Sequence, residues 1–432
     1  MWGQRKRGAA DRAPESEQNM VKGTDSAEPR FAPGPVTDGS ELSRMADVPY
    51  SGDVYAPSPA SATDRPVASG YDSGIGRHRT GSARGRGHGN GRRERGPFYA
   101  ALDLGTNNCR LLVAEPGPGG FRVVDSFSRI VRLGEGVAQS GELGTEAMER
   151  ALGALRICAQ KLGLRPLAGA RLIATEACRT ARNGALFLDR VRDELGVELE
   201  IIDRRTEAGL AAEGCFSLLD PQAEGAVLFD IGGGSSEIVW LDRRKARRRG
   251  SLVRAWVSLP LGVVTLAEKH GGEHVDDAVF EAMVADVQSE FHRFRARDGL
   301  RAAIAERPFH YLGTSGTVTT LAGVHLELPR YDRRYVDGLW MEEAEIERMM
   351  SRIRGMDYAA RRDNPCIGHD RADLVLAGCA IFEAIRREWR CSRLRVADRG
   401  LREGMLVQLM RADGHLQGAR RPALDGAPPK AR

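Results

Sequence analysis

The chain has no long apolar run, no paired cysteine motif and little net charge, and each absence excludes a class of protein. No stretch approaches the roughly 18 apolar residues that a membrane-spanning helix requires, and the segment MWGQRKR at 1–7 has no apolar core of a secretory signal. The seven cysteines form no Cys-x-x-Cys pair and lie mostly among apolar neighbours, which is typical of reduced core thiols. We therefore expect a soluble cytoplasmic protein with no membrane partner.

Composition divides the 432 residues into a folded part and loose ends. Residues 1–97 are rich in Pro, Gly, Ser, Asp and Arg and show no helical or strand period, so they bury too little apolar surface to offset the entropy of ordering. This predicts a disordered basic tail at 1–97 and a second loose tail at 413–432. The oligomeric state, monomer or homodimer, is left open by the sequence.

Arginine is concentrated in two clusters, although the net charge is only +5 from 64 basic and 59 acidic residues. The cluster at 77–95 is typical of a solvated linker, with nucleic-acid contact through counterion release as the alternative. The cluster at 243–249 lies between two strand-like segments, which predicts a basic hairpin tip.

A glycine loop occurs twice, as DLGTNN at 103–108 and as DIGGGSS at 230–236. Each loop has a short apolar run on both sides, so each is predicted to be a strand, a tight turn and a strand. Small residues let consecutive backbone N–H groups converge on an oxyanion, while the leading aspartate holds a cation that bridges to it. Two such turns suggest two jaws around a phosphate chain.

The order of elements repeats with the loops. Each half is predicted to run βββαβα, and the second half continues into a third small-residue loop, GTSGT at 313–317. Strands separated by helices indicate parallel neighbours. We therefore predict an α/β fold made of two duplicated lobes with a cleft between them, lobe I at 98–209 and lobe II at 210–412. A terminal helix at about 398–412 is expected to pack back on lobe I.

The three loops, together with ATEACRTA at 174–181, TEAGL at 206–210 and VADRGLREG at 396–404, resemble segments of the Ppx/GppA family of exopolyphosphatases and guanosine pentaphosphate phosphohydrolases. The resemblance covers about 98–408. It implies the actin-like fold shared by sugar kinases, acetate kinase and ATPase chaperones, here in the short, two-domain form. The chain departs from the family where Thr106 and Asn108 replace a common serine, and where Gly209 replaces an arginine, which would weaken one phosphate contact.

The resemblance also implies residue roles. The catalytic glutamates would be Glu207 and Glu237, with Glu207 orienting and deprotonating the attacking water. Asp103 and Asp230 would hold Mg²⁺. The phosphate-binding residues would be Gly105, Thr106, Asn107, Arg179, Gly232, Gly233, Gly234, Ser235, Gly313, Ser315, Gly316 and Thr317.

Four functions are compatible with these motifs. The first is stepwise hydrolysis of inorganic polyphosphate from its end, and the second is hydrolysis of the 5′-triphosphate end of guanosine pentaphosphate (pppGpp). Basic groups expected along the cleft, Arg132, Arg179 and the tip at Arg243, favour the long polymer. A small-molecule kinase would need an adenine pocket that the sequence does not display, and a noncatalytic binding module would tolerate loss of Glu207.

Overall fold

Two sheets of the same plan, each opening with a hairpin, form the fold. The computed structural model describes residues 96–244 and 252–416, which belong to one compact unit. The predicted N-terminal tail up to residue 95, the predicted C-terminal tail from residue 417 and the tip of the basic hairpin at 245–251 lie outside these residues. Within them, no helix combines the length and apolar character needed to cross a bilayer.

The first sheet has the strand order β3-β2-β1-β4-β5. Strands β1 to β3 are antiparallel, and β4 and β5 run parallel to β1. The strands are β1 (Phe98–Leu104), β2 (Asn108–Gly117), β3 (Gly120–Ile130), β4 (Leu167–Ala174) and β5 (Glu200–Ile201). The helices of this part are α1 (Val137–Ser140), α2 (Thr145–Gly163), α3 (Glu176–Thr180), α4 (Gly184–Leu195) and α5 (Arg204–Cys215).

The second sheet has the strand order β10-β11-β9-β6-β7-β8. Its strands are β6 (Gly225–Ile231), β7 (Ser236–Asp242), β8 (Val253–Leu259), β9 (Phe309–Thr314), β10 (Trp340–Glu342) and β11 (Arg393–Ala397). The remaining helices are α6 (Val263–His270), α7 (Asp277–Phe291), α8 (Arg297–Glu306), α9 (Ser315–His325), α10 (Arg333–Val336), α11 (Glu343–Arg354), α12 (Tyr358–Asp363), α13 (Val375–Glu388) and α14 (Leu401–Ala412).

The two sheets confirm the predicted duplication. The order β3-β2-β1-β4-β5 is repeated as β8-β7-β6-β9-β11, and β10 adds one antiparallel edge strand to the second sheet. The first three strands of each half form an antiparallel meander, and each glycine loop joins its first two strands. The lobe boundaries at 209 and 412 stay predictions.

Both faces of β1 are covered, which explains its continuous apolar sequence. Ala100 and Leu102 pack with Leu155 of α2 on one face, and Tyr99 packs with Met405 of α14 on the other. Because β1 cannot move without both helices, the loop that follows it at 105–107 starts from a fixed point.

Helices α5 and α14 cross at close range because each carries a glycine at the crossing. A Cβ on Gly214 would lie 2.0 Å from the Gly400 carbonyl oxygen, and one on Gly404 would lie 2.1 Å from the Leu210 carbonyl oxygen. Any larger side chain would push the helices apart. The crossing holds the turn before α14 against the last turn of α5, and the first turn of α14 against the middle of α5.

The structure corrects one local prediction. The GTSGT segment is not a loop, because β9 ends at Thr314 and α9 begins at Ser315, which turns the chain with a left-handed φ of 79°. Glycine, serine and threonine have lower helix propensity than alanine, but the burial of Val318 and Leu321 in the core outweighs that preference.

Candidate functional site

The two glycine loops have the same internal hydrogen bond. The Gly105 N–H donates to the Asn108 carbonyl at 2.9 Å, and the Gly232 N–H donates to the Ser235 carbonyl at 3.0 Å. The N–H groups inside each turn, such as those of Thr106 and Gly233, donate to no protein acceptor among the described residues. These inner N–H groups are therefore free for an oxyanion, whereas those of the leading glycines are not.

The loops touch each other. A Cβ on Gly233 would lie 2.9 Å from the Thr106 Cβ and 3.2 Å from the Asn107 nitrogen, and one on Gly234 would lie 3.1 Å from the Glu176 Cγ. Glycine is required here by contact between the halves. The structure therefore shows the cleft closed around the loops.

One cavity, which we call the main cavity, lies between the two loops and encloses about 780 Å³, part of it open to solvent. Most of the predicted site residues line it. They are Asp103, Gly105, Thr106, Asn107, Glu207, Asp230, Gly232, Gly233, Gly234, Ser235, Glu237 and Ser315.

A second cavity, the side cavity, continues from the main one along Asn107, Asn108 and Arg110. It encloses about 470 Å³, and the predicted residues Gly316 and Thr317 line it. Since they lie in the first turn of α9, their N–H groups have no acceptor within the helix and add a third set of free donors.

Two predicted phosphate ligands lie elsewhere. A Cβ on Gly313 would lie 2.7 Å from the ring of Phe229 and 2.7 Å from the Val318 side chain, so this glycine is needed for packing behind the site. Arg179 lines neither cavity and is bonded to the carboxylates of Glu176 and Glu207. Their phosphate contacts stay predictions.

Asp103 and Asp230 face the main cavity from equivalent strand ends. Burial, together with a smaller contribution from the Asp103 carboxylate, raises the pKa of Asp230 to about 6, and burial also raises the pKa of Asp103. The Asp103 Oδ1 atom is buried and has no hydrogen-bond partner in the described chain. Two carboxylates that repel each other beside an unpartnered oxygen fit a divalent cation.

The protein ligands alone are too few for a closed metal centre. Among residues 96–244 and 252–416, no three His, Cys, Asp or Glu side chains are grouped closely enough to hold an ion by themselves. Mg²⁺ is usually held by one or two carboxylates together with water and substrate phosphate oxygens. The site therefore fits Mg²⁺ that arrives with a phosphate ligand.

The two predicted catalytic glutamates are both buried at the main cavity. The pKa of Glu237 is raised to about 7. Burial is the largest cause and the Asp230 carboxylate adds to it, while hydrogen bonds from the Ser258 and Ser235 hydroxyls oppose the rise. Burial, followed by the charge of Glu237, also raises the pKa of Glu207, against the opposing effect of Arg179. A carboxylate with a raised pKa is a stronger proton acceptor at neutral pH.

Three arginines at the cavities were not predicted as ligands. The guanidinium groups of Arg110, Arg371 and Arg402 have no hydrogen-bond or ion-pair partner in the described part of the chain. Burial lowers the pKa of Arg110, and the positive charges of Arg402 and Arg371 lower it further, which shows that the three charges lie near one another. Such a group of unpaired cations is a binding site for several negative charges.

A sequence signal for Arg110 existed. On β2 it pairs directly with Asp103 on β1, so an arginine just after the first loop must lie beside the leading aspartate. Arg402 lies within the VADRGLREG segment, which was recognised as a family segment but not assigned a role.

The arginines that were expected along the cleft are already paired. Arg132 forms two hydrogen bonds of 2.9 Å with the Asp373 carboxylate, and Arg243 donates to the Asp220 carbonyl at 2.7 Å. The positive potential of the cleft therefore comes from Arg110, Arg371 and Arg402 instead.

Duplicated α/β sheets, two loops with free N–H groups, buried carboxylates and unpaired arginines define a phosphate-binding protein of the α/β class. Comparison with known proteins gives the family. The profile of the Ppx/GppA phosphatase family matches residues 112–413, and the chain belongs to that family.

Relatives and solved structures agree with this assignment. Exopolyphosphatase 2 of Mycobacterium tuberculosis is 30% identical over 323 residues, covering 72% of this chain and 98% of the relative. The crystal structure of the Aquifex aeolicus Ppx/GppA family member matches with a TM-score of 0.60 at 26% identity, over 74% of this chain and 99% of that chain. An exopolyphosphatase-like protein matches with a TM-score of 0.65 at 28% identity, over 73% and 99%. The predicted duplicated actin-like fold is thus confirmed.

Proposed function

We propose that the protein is an exopolyphosphatase, which releases orthophosphate from the end of inorganic polyphosphate. The observation that carries the proposal is that one cavity combines free loop N–H groups, seven acidic side chains and the unpaired arginines Arg110 and Arg402. It is supported by the name of the Mycobacterium tuberculosis relative. A bound phosphate chain needs hydrogen-bond donors and positive charges along its length. In addition to the carboxylates, the two cavities contain arginines that supply both.

In the proposed reaction, the loop N–H groups hold the terminal phosphate in line with a water molecule. Glu207 accepts a proton from that water as its oxygen attacks the terminal phosphorus, and the bond from that phosphorus to the bridging oxygen breaks. The electron pair stays on the oxygen of the shortened chain. Arg110 and Arg402 stabilise the negative charge that remains on it.

Mg²⁺, which Asp103 and Asp230 would hold, would neutralise phosphate charge when bound. Glu237 lies beside Asp230 on the adjacent strand and accepts two serine hydrogen bonds, so its carboxylate is fixed in orientation. We propose that Glu237 helps Glu207 to accept the proton released from water.

Phosphate release from polyphosphate of defined length tests the proposal. The wild-type protein should shorten the chain one phosphate at a time, and chelation of divalent cations with EDTA should abolish release. Glu207→Gln should keep the fold and lower kcat by about a hundredfold or more, since general-base catalysis contributes about 10² to 10⁴. A variant at an exposed ion pair, Glu194→Gln, should release phosphate as the wild type does. Near-normal release by Glu207→Gln would reject the assignment.

A second candidate, hydrolysis of the 5′-triphosphate end of pppGpp, is favoured by the side cavity. Its wall includes Ile231, Val263, Leu374 and Val375, which fit a flat organic group better than a phosphate chain. Parallel measurements of kcat/KM on polyphosphate and on pppGpp would rank the two substrates.

We also propose a cytoplasmic location. All seven cysteines are buried free thiols, although Cys109 and Cys158 lie with their Sγ atoms 3.9 Å apart. Unpaired neighbouring thiols are typical of a reducing compartment.

A further inference from the structure

A row of four alternating charges runs from the surface to the main cavity. Arg204 donates to Glu176 at 2.5 Å, Glu176 accepts from the Arg179 Nε at 3.0 Å, and Arg179 donates to the Glu207 Oε2 at 2.9 Å. None of the functions argued above assigns a role to Glu176 or Arg204. We call these residues the charge row.

Both carboxylates of the charge row line the main cavity and are buried, whereas Arg204 at the outer end is partly exposed. The side chains of Glu176 and Glu207 are 8% and 9% exposed and that of Arg179 is 16% exposed, whereas that of Arg204 is 39% exposed. Burial alone would lower the pKa of Arg179, but the Glu207 and Glu176 carboxylates outweigh burial and raise it. Each buried charge is therefore held by an opposite neighbour, and removal of one leaves the next unbalanced.

Arg179 is fixed in orientation by groups on three sides. Its Nε and Nη2 atoms contact Glu176, its Nη1 donates to the Ile202 carbonyl at 2.7 Å, and its Nη2 reaches Glu207. In the described chain no other side chain donates a hydrogen bond to the Glu207 carboxylate. The orientation of Glu207 therefore depends on Arg179, and that of Arg179 depends on Glu176.

Glu176 also lies where the two halves of the protein meet. It begins α3 directly after β4, and its Cγ packs against the second glycine loop at Gly234. When the loops are together, the aliphatic part of Glu176 is confined on that side. From this position its carboxylate accepts hydrogen bonds from both Arg179 and Arg204.

We propose that Glu176, anchored by Arg204, is a positioning residue that holds Arg179 against Glu207 and so orients the carboxylate that accepts the proton of the attacking water. The inference rests on the proposed phosphoanhydride hydrolysis. It predicts an effect on the chemical step rather than on binding, because Arg179 is engaged with carboxylates and lines neither cavity. A misplaced general base lowers kcat while leaving the phosphate ligands intact.

The alternative arrangement, in which Arg179 binds phosphate instead of the carboxylates, gives different kinetics. If phosphate displaces the carboxylates and binds Arg179 itself, Glu176 competes with substrate. Neutralising Glu176 would then lower KM and leave kcat near its wild-type value. The relative changes in kcat and KM therefore distinguish the two arrangements.

The test is steady-state phosphate release from polyphosphate by Glu176→Gln, with the full chain and Mg²⁺ present. We expect kcat to fall by about tenfold and KM to stay within about twofold, because the loss of orientation affects only the transition state. The inhibition constant of orthophosphate should also be unchanged. The exposed pair Arg190–Glu194 provides the matched control, and Glu194→Gln should change neither constant.

Arg204→Gln supplies a second variant, since this side chain is the most exposed member of the charge row and its loss leaves Glu176 in place. It should lower kcat by about threefold, and adding it to Glu176→Gln should cause no further loss, because both act through Arg179. If Glu176→Gln does not fold, Arg204→Gln alone decides through the same split between kcat and KM.

Three outcomes overturn the inference. A lower KM with unchanged kcat, or unchanged values of both constants, would show that Glu176 does not position Glu207. Fully additive losses in the double variant would show that Arg204 and Glu176 act separately. If the wild-type protein releases no phosphate, the proposed function itself fails. If the wild type is active and Glu176→Gln is unaffected, only the inference about Glu176 fails.

Discussion

Among single residues, the buried carboxylates of the main cavity hold negative charge where water is scarce. The pKa of Asp230 is raised to about 6 and that of Glu237 to about 7, in both cases chiefly by burial. A carboxyl whose pKa is higher in the folded than in the unfolded chain stabilises the fold fully below its unfolded value, near 4. That contribution is lost as the pH rises through 6 and 7.

We therefore predict that Glu237→Gln is more stable than the wild type at pH 8. The neutral side chain keeps an acceptor for Ser235 and Ser258 but removes the charge next to Asp230. In EDTA, the thermal midpoint should rise by about 2 °C or more at pH 8. At pH 5 the wild-type carboxyl is mostly protonated, so the difference should shrink toward zero.

Variant and wild type must be compared at the same pH, because other ionisable side chains change the stability with pH in the opposite direction. The pKa of Asp203 is lowered by hydrogen bonds from Thr206, so its contribution is lost at low pH in both proteins. A stability gain of Glu237→Gln that is equal at pH 5 and pH 8 would contradict the raised pKa. Activity is expected to fall in the same variant, which would show that this charge is kept for function at a cost in stability.

The sequence predicts individual residues well where a role depends on local geometry. Asp103 and Asp230 lie at the ends of the strands that lead into the two glycine turns, and a turn is specified by a few adjacent residues. The pairing of the cationic side chains was not predictable because partner choice is a tertiary property. Arg132 is paired by an aspartate that lies 241 residues away, whereas Arg110 has no partner.

Between elements, the approach of the two glycine loops explains why the second loop has three consecutive glycines. Gly232 closes its own turn, while Gly233 and Gly234 face Thr106 and Glu176 on the other half. The side chains are absent for two different reasons, turn geometry and close packing. Turn geometry can be recognised in one sequence, whereas close packing can be recognised only when the facing half of the protein is known.

We predict that Gly233→Ala prevents the loops from closing. Its methyl group would lie 2.9 Å from the Thr106 Cβ and 3.2 Å from the Asn107 backbone nitrogen, so the two loops must move apart to admit it. Phosphate release should fall by about tenfold or more, since small displacements of reacting groups cost large factors in rate. Circular dichroism should show an unchanged fold.

Gly153→Ala is the matched control, because a Cβ at this position in α2 has no neighbour within 4 Å. It should keep full activity and stabilise the protein by about 0.5–1 kcal/mol through helix propensity. Equal activity of the two alanine variants would show that loop contact is not needed for turnover.

The order of elements was predictable because the duplication repeats one local pattern, and β1, β2, β6 and β7 lie where their apolar runs indicate. The start of α9 was not predictable, since a strand passes directly into a helix through Ser315. Its left-handed backbone is stabilised by a hydrogen bond from the Ser315 hydroxyl to the Ile231 carbonyl, a contact with another strand.

At the scale of the whole molecule, two contacts join the halves beside the side cavity. Arg132 follows β3 of the first sheet and binds Asp373, which precedes α13 on the second. The Gly136 N–H donates to the Glu268 carboxylate of α6 at 2.8 Å. We call these two contacts the clasp.

The clasp is connected to both phosphate-binding regions. The backbone N–H of Arg132 donates to the Asn107 carbonyl of the first loop at 3.1 Å, and Asp373 is adjacent to Leu374 of the side-cavity wall. Opening of the cleft must break the clasp, so its strength sets part of the equilibrium between open and closed forms. Substrate that binds only the closed form loses affinity when that equilibrium shifts.

We predict that Asp373→Asn weakens closure. Its effect should be moderate, because the Arg132 and Asp373 side chains are 31% and 21% exposed and solvent screens their attraction. KM for polyphosphate should rise by about fivefold, equivalent to about 1 kcal/mol, with kcat nearly unchanged. Small-angle scattering of the unliganded protein should show a larger radius of gyration.

A double-mutant cycle with Arg132→Gln distinguishes the clasp from two independent surface effects. Arg132 and Asp373 bind each other through two parallel hydrogen bonds, and Arg132 also donates to the Asp370 carbonyl at 3.2 Å. The double variant should therefore lose no more than Arg132→Gln alone. The control pair Arg190–Glu194 lies on one helix and joins no halves, so its double variant should leave KM and the radius unchanged. Additive effects at Arg132 and Asp373 would mean that the cleft is held closed by the glycine loops and the α5–α14 crossing alone.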